Sequence, residues 1–235
     1  LEGHGNKVWS VAWSPDGSKL ASGGDDGIVR VRDTVSGKEL YTLKKPGGWV
    51  WCVSWSPDGK SFASAGWDKI VRVWDALSGR EIRRFMGHGG VPVYLAWSPN
   101  GTKLASGDWV SGKPSIIIWD VSSGKVLHTI RGHEVIVHGL AWSPDGSKLA
   151  SGSCDSTARV WDIASGKELH TLVHKGMVWS VAWSPDGSKL AIGGGNWTPR
   201  VVDVASGTEI YKLEGHEAWV SSVAWSPEGS KLASV

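Results

Sequence analysis

His133, Ser151 and Asp155 supply the three groups of a nucleophilic triad: a hydroxyl to attack, an imidazole to take its proton and a carboxylate to orient the imidazole. Trp161, a few residues on, brings an indole N–H to the same set. A second arrangement, His133-Glu134 with His138, approaches a zinc-protease signature. Its second histidine stands one residue too far along, and that chemistry needs both rings on one helix face, whereas this segment reads as a turn entering a strand. Gly193-Gly194-Gly195 would cradle a phosphate if a helix N-terminus followed; none does, so the run reads as a permissive turn. Cys52 and Cys154 lie far apart without metal-ligand spacing and read as two free thiols in a packed interior. Unpaired thiols point to a reducing compartment, and a cytoplasmic location is expected. Neither a metal nor a cofactor is expected. The triad alone has to be decided, and the elements that carry it decide it.

Those elements repeat. Ala12-Trp13-Ser14-Pro15-Asp16-Gly17 returns with small changes at Trp55, Trp97, Trp142, Trp183 and Trp225, at gaps of 42, 42, 45, 41 and 42 residues. A fixed period of this length means stacked supersecondary units. In the first unit, residues 8–14, 19–24, 28–34 and 39–44 read as strands, separated by turns at Pro15-Asp16-Gly17, Asp25-Asp26-Gly27 and Ser36-Gly37-Lys38. Trp9, Val11 and Trp13 alternate against Val8, Ser10 and Ala12, so both faces of the four-stranded antiparallel sheet are apolar. Only a neighbouring sheet on each side buries both, and radial stacking provides that.

The repeats resemble the WD-repeat family of β-propellers. Gly-His opens the repeat at Gly3-His4, Gly87-His88, Gly132-His133 and Gly215-His216, and Trp-Asp closes the third strand at Trp74-Asp75, Trp119-Asp120 and Trp161-Asp162. The resemblance covers the whole chain. It implies an all-β propeller of four-stranded antiparallel blades, five full repeats plus half a sixth, as a single domain over residues 1–235. The repeats run at about 1–45, 46–87, 88–132, 133–173, 174–215 and 216–235. The second unit has Pro46 where His belongs, and the third carries three extra residues between Asp108 and Ser115. In the fifth, Ile192 replaces Ser and Val202-Asp203 replaces Trp-Asp. The last unit has two strands, and its completion by another chain or by sequence beyond this one is expected.

The resemblance also implies a second reading of the triad. In the family the opening His, a second-strand Ser or Thr, a turn Asp and the closing Trp form a buried hydrogen-bond relay. His133, Ser151, Asp155 and Trp161 match it, and partial copies stand at His4, Ser22, Asp26 and at Ser64, Asp68, Trp74. A catalytic site would not be repeated and eroded from unit to unit, so a structural relay and no enzyme activity are expected.

Net charge is +2, from 25 basic and 23 acidic residues, with no basic run, so no nucleic-acid partner is expected. No apolar run is long enough for a membrane helix, so no membrane partner is expected either. The tryptophans carry the remaining signal. Of 17, eight lie outside the repeat motifs: Trp9, Trp49, Trp51, Trp67, Trp109, Trp179, Trp197 and Trp219. On the unit template they fall where first strands start and second hairpins turn, which in the family borders a face that meets partners. They are expected to form a partner-binding rim for a protein or peptide, with Trp51, Trp67 and Trp179 partly open and Trp55, Trp142 and Trp183 buried. The reading is a recognition scaffold, similar to the propeller sensor regions of bacterial and fungal signalling proteins. The alternatives are a lectin-like or small-ligand propeller, with Asp25, Asp68, Asp108 and Asn196 beside the rings to read hydroxyls, or a designed or recently amplified repeat protein without a dedicated ligand.

Overall fold

The computed structural model describes residues 3–44, 47–110 and 112–235. Pro46, the residue expected in place of His in the second unit, lies outside them. Among the described residues there is no helix, and the strands form five four-stranded antiparallel sheets and one two-stranded sheet. In chain order they are β1 Val8–Trp13, β2 Lys19–Gly24, β3 Ile28–Asp33 and β4 Glu39–Lys44; β5 Val50–Trp55, β6 Ser61–Gly66, β7 Val71–Asp75 and β8 Glu81–Phe85; and β9 Val91–Trp97, β10 Lys103–Trp109, β11 Ser115–Asp120 and β12 Val126–Arg131. Then come β13 Val137–Trp142, β14 Lys148–Ser153, β15 Thr157–Asp162 and β16 Glu168–Val173; β17 Val178–Trp183, β18 Lys189–Gly194, β19 Arg200–Asp203 and β20 Glu209–Lys212; and the pair β21 Val223–Trp225 and β22 Leu232–Ser234. Each sheet is a meander of sequential hairpins.

The turn residues explain the hairpins. Gly17 N–H donates to Ser14 O over 2.8 Å, and Gly17 takes φ +70°, a left-handed conformation that a side chain disfavours. Asp16 accepts from the Ser14 hydroxyl at 2.6 Å and from Ser18 N–H at 3.0 Å. These bonds pull its carboxyl down to about 2. The Asp that ends each third strand works the same way: Asp75 Oδ1 accepts from Ser78 N–H at 2.7 Å and from the Ser78 hydroxyl at 2.6 Å. Asp203 makes the equivalent bonds to Ser206, so the fifth sheet keeps the turn although it has lost the tryptophan before it.

The chain divides into two compact units, residues 1–110 with 116–129, and residues 111–115 with 130–235. In the first, the motif tryptophan of each sheet seats on the sheet before it: Trp55 Nε1 donates to Ala12 O at 2.9 Å and Trp97 Nε1 to Ser54 O at 3.1 Å. Val50, Val53, Phe62 and Trp74 fill the first contact against Ala21, Val29 and Val31. Leu95, Trp97, Leu104 and Trp119 fill the second against Ala63, Ala65, Val71 and Val73. The second unit repeats this with Trp183 Nε1 on Ala141 O at 2.9 Å and Trp225 Nε1 on Ala182 O at 3.1 Å. Trp13 makes no such bond among the described residues and is 61 % exposed.

One sequence expectation needs correction. Trp9 does not share a face with Val11 and Trp13 in strict alternation. The β1–β2 register shifts between Val8 and Ser10, which makes Trp9 the extra residue of a β-bulge. The same shift falls at Trp51 in β5, at His138 in β13 and at Trp179 in β17. A bulge turns its extra side chain away from the pleat.

Candidate functional site

The triad residues do meet. His133 Nε2 lies 2.7 Å from Ser151 Oγ, and His133 Nδ1 lies 2.7 Å from Asp155 Oδ2. Trp161 Nε1 donates to Ser151 Oγ at 2.8 Å. An indole N–H only donates, so the serine oxygen accepts from it. With the imidazole neutral, Ser151 O–H then donates to Nε2 and Nδ1–H donates to the carboxylate. That is the proton order of a nucleophilic triad, yet Ser151 is 0 % exposed and Trp161 occupies one side of its oxygen. No acyl carbon can reach it. Burial raises the Asp155 carboxyl, but the bonds from His133 and Thr157 outweigh it and hold the group below the usual carboxylate range.

The relay recurs. His4 reaches Ser22 at 2.8 Å and Asp26 at 2.9 Å, and Trp74 Nε1 donates to Ser64 Oγ at 2.9 Å. A complete copy that the sequence reading passed over is His88, Ser106, Asp108 and Trp119: 2.6 Å from His88 Nε2 to Ser106 Oγ, 3.1 Å from Nδ1 to Asp108, and 2.7 Å from Trp119 Nε1 to Ser106. Its signal was present, because His and Ser stand 18 apart in both His88–Ser106 and His133–Ser151. The Asp hid the copy by standing 20 rather than 22 residues after the His. The extra residues of the third unit fall beyond it: β10 runs on through Trp109, so Trp109 ends a strand and does not sit in a turn. His216 and Ser234 make the same His–Ser bond at 2.7 Å. In the fifth sheet Ile192 fills the serine site, and His174 Nε2 is buried without a partner.

Other candidates separate. Glu134 N–H donates to Asp155 at 3.1 Å, and burial lowers the basicity of His138; no group of three or more His, Cys, Asp or Glu among the described residues could hold a metal. Gly193 and Gly194 end strand β18 and so do not form a turn. A side chain on Gly193 would meet Val223 at 2.9 Å and Val220 at 3.0 Å, so glycine is there for close sheet packing. Cys52 and Cys154 are free and only part-buried, and burial pushes the Cys52 thiol up to about 11.

The tryptophans gather. In the first unit Trp51 is the hub, with ring centroids 4.5 Å from Trp9, 5.9 Å from Trp49 and 6.3 Å from Trp109. Trp67 extends the row, 5.5 Å from Trp49. The β1 and β5 bulges turn out Trp9 and Trp51; the end of β10 brings Trp109; the hairpin after β6 brings Trp67. Trp67 N–H donates to Trp49 O at 3.0 Å and ties the two loops together. Gly48, at φ +100°, would put a side chain 3.3 Å from Trp67, so only glycine lets this loop lie against the ring. In the second unit Trp179 and Trp219 meet edge to face at 5.1 Å. Trp197 joins neither group by a ring contact and holds φ +63°. Trp51 and Trp179 are half-buried and Trp67 is 52 % exposed, while Trp55, Trp142 and Trp183 are buried.

A profile of the family described as WD domain, G-beta repeat matches residues 1–33, 37–75, 79–120, 124–162, 166–203 and 207–235. An interval such as 37–75 takes the fourth strand of one sheet with the first three of the next, so the matched repeat and the sheet are out of phase by one strand. Over 43 residues the chain is 58 % identical to the small ribosomal subunit protein RACK1z of Oryza sativa subsp. japonica, which is 18 % of this chain and 13 % of that protein. Over 37 residues it is 57 % identical to the vegetative incompatibility protein HET-E-1 of Podospora anserina, 16 % of this chain and 3 % of that one. Over 44 residues it is 48 % identical to the ribosome biogenesis protein erb1 of Aspergillus niger, 19 % of this chain and 6 % of that one. These matches take in 13 % or less of each relative's length. With six profile matches over nearly its whole length, on all-β sheets that are the blades of a β-propeller, the chain belongs to the WD domain, G-beta repeat family.

Proposed function

We propose that this chain is a non-catalytic recognition scaffold that seats a protein or peptide segment on the tryptophan platform of its first compact unit. One observation carries the reading. Trp9, Trp49, Trp67 and Trp109 join through Trp51 into one aromatic surface, yet each remains 41–52 % exposed. Tryptophan is enriched at the energetic centres of interfaces, and a contiguous apolar patch left in water favours association. Rigid sheets hold the rings, so little ordering is needed on binding. The Trp179–Trp219 pair offers a smaller patch of the same kind in the second unit. Relatives named as a ribosomal subunit protein and a ribosome biogenesis protein support work inside protein assemblies. The free thiols of Cys52 and Cys154 support a cytoplasmic setting.

The test is panning of a random peptide library on the chain, with the Trp49→Ala/Trp67→Ala double variant in parallel. Enriched peptides should bind the parent and lose about tenfold or more in affinity on the variant, while the melting transition stays close to that of the parent. Peptides that bind both proteins equally would remove the platform from recognition.

A further inference from the structure

The hydrogen-bonding polarity of the platform narrows its ligand. The indole N–H groups of Trp49, Trp67 and Trp109 have no hydrogen-bond partner among the described residues, and Trp51 Nε1 is buried without one. The acceptors around them each already hold a bond. Asp25 accepts from Trp9 Nε1. Asp68 accepts from Arg72 at 2.5 Å, and Asp108 from His88. The nearby backbone oxygens are engaged as well: Lys7 O by Asp25 N–H at 2.9 Å, Trp49 O by Trp67 N–H at 3.0 Å and Gly89 O by Lys69 Nζ at 2.8 Å. The surface therefore offers ring faces and unpaired donors, beside acceptors that each already hold a bond.

Such a surface selects against most ligands. A sugar brings hydroxyl donors, and the carboxylates beside the rings already hold one bond or more. An ordinary extended peptide brings an N–H at every residue, and each one stranded without an acceptor costs about 1–3 kcal/mol. An amphipathic helix has its carbonyls bonded internally and directed along its axis, away from a surface on which its side chains dock. Proline supplies the complement: an apolar ring, a carbonyl with two lone pairs and no N–H. A run of prolines is also pre-ordered as an extended helix with its carbonyls pointing to solvent.

The geometry fits. Gly48, Trp49 and Trp67 line a cavity of about 330 Å³, with the two rings inclined at 54°. The ring spacings of 5.5 Å and 5.9 Å along Trp67, Trp49 and Trp51 are close to the advance of two polyproline residues, about 3.1 Å each. We propose that the platform binds a proline-rich, polyproline-II segment of a partner protein, with pyrrolidine rings seated against the open faces of Trp49 and Trp67 and partner carbonyls accepting from the indole N–H groups. This rests on the platform being the recognition surface.

The test is titration of the chain with acetylated, amidated decaproline, followed by the indole N–H signals in a proton–nitrogen NMR spectrum. Controls are a glycine-serine peptide of equal length and cellohexaose. Decaproline should shift the Trp49 and Trp67 signals. Trp49→Phe, which keeps a ring and removes the N–H, should weaken binding about threefold or more, and Trp49→Ala/Trp67→Ala about tenfold or more. Trp197→Ala should leave it unchanged. If decaproline gives no shift up to about 5 mM while library peptides without proline bind and need Trp49 and Trp67, the proline inference is wrong and the platform reading stands. If decaproline binds equally to the double variant, or nothing needs these two rings, both fall.

Discussion

Trp161 Nε1 donates to Ser151 Oγ across 2.8 Å, so the hydroxyl that faces His133 is also held by the closing tryptophan. The indole holds the hydroxyl in the interior and sets its proton toward His133. Trp119 and Ser106 stand in the same relation at 2.7 Å, and Trp74 and Ser64 at 2.9 Å. Three copies of one geometry, each fully buried at the serine, serve the packing of three sheets.

Ser151→Ala leaves the Trp161 indole without its acceptor and His133 without its donor. The expected loss is about 1–3 kcal/mol of unfolding free energy, read by urea denaturation, with no change in any hydrolytic background. Ser106→Ala should lose a similar amount. A variant as stable as the parent would show that the relay contributes nothing.

The fifth sheet offers the reverse experiment. His174 Nε2 is buried without a partner, and Ile192 fills the position from which serine bonds the histidine in the first, third, fourth and sixth sheets. Burial also lowers the basicity of His174. Ile192→Ala opens a cavity and should cost about 2–5 kcal/mol. Ile192→Ser removes as much apolar volume but gives His174 a partner, so it should be the milder change by about 1 kcal/mol. Serine more damaging than alanine here would mean that His174 cannot use the hydroxyl.

Much of this was legible in the sequence. The 41–45-residue period, the turn signals and the alternation placed the strands of the first sheet within a residue of where they lie, because hairpin turns need glycine at fixed positions. The relay around His133 was legible through the family resemblance, which gives the opening His, the strand Ser, the turn Asp and the closing Trp those roles. The bulges at Trp9, Trp51 and Trp179 were not, since an extra residue leaves no mark in a period of two. Without them the rings seemed to follow the pleat. The gathering of Trp9, Trp49, Trp67 and Trp109 with Trp51 was also hidden, because it depends on which sheets adjoin. The glycine run at 193–195 looked like a turn throughout because glycine signals both permissive backbone and close packing; Gly195 does lie in the turn, while the short approach of Val223 decides for packing at Gly193.

The turn carboxylates predict an acid transition. Bonds from neighbouring serine hydroxyls and backbone N–H groups hold Asp16, Asp120 and Asp145 at about 2 in the folded chain. Unfolded, each returns to about 3.9. A depressed folded value stabilises above the unfolded value and is lost as pH falls through the folded one. These groups should therefore contribute fully above about pH 4 and lose their contribution between there and pH 2. Asn100 already bonds the Ser98 hydroxyl at 2.9 Å without a charge. Asp145→Asn should accordingly flatten the fall in melting temperature over that range. A carboxyl carbon titration that places Asp145 near 4 would contradict the account.

The motif tryptophans should divide by what lies under them. Trp183 is 8 % exposed and donates to Ala141 O; Trp13 has the same sequence surroundings but is 61 % exposed and makes no such bond among the described residues. Trp183→Ala should cost about 3–5 kcal/mol, and Trp13→Ala less than about 1 kcal/mol. Equal losses would show that Trp13 is covered in solution.

The second hairpin turns carry a strain that can be removed. Gly27 holds φ +70° in the first sheet, and the equivalent turns put Lys69 at +63°, Ser156 at +67° and Trp197 at +63°. A left-handed conformation costs a residue with a side chain roughly 1–2 kcal/mol. Glycine relieves that cost but enlarges the unfolded ensemble, so part of the gain is returned. Ser156→Gly should then stabilise by about 0.5–1 kcal/mol, and Gly27→Ala should destabilise by about 1–2 kcal/mol. Trp197→Gly is the sharper case, because the ring is half-exposed and makes no ring contact among the described residues. It should match Ser156→Gly in the unfolding free energy read by urea denaturation. A loss of stability in Trp197→Gly, beside a gain in Ser156→Gly, would mean that the ring packs on the fifth sheet.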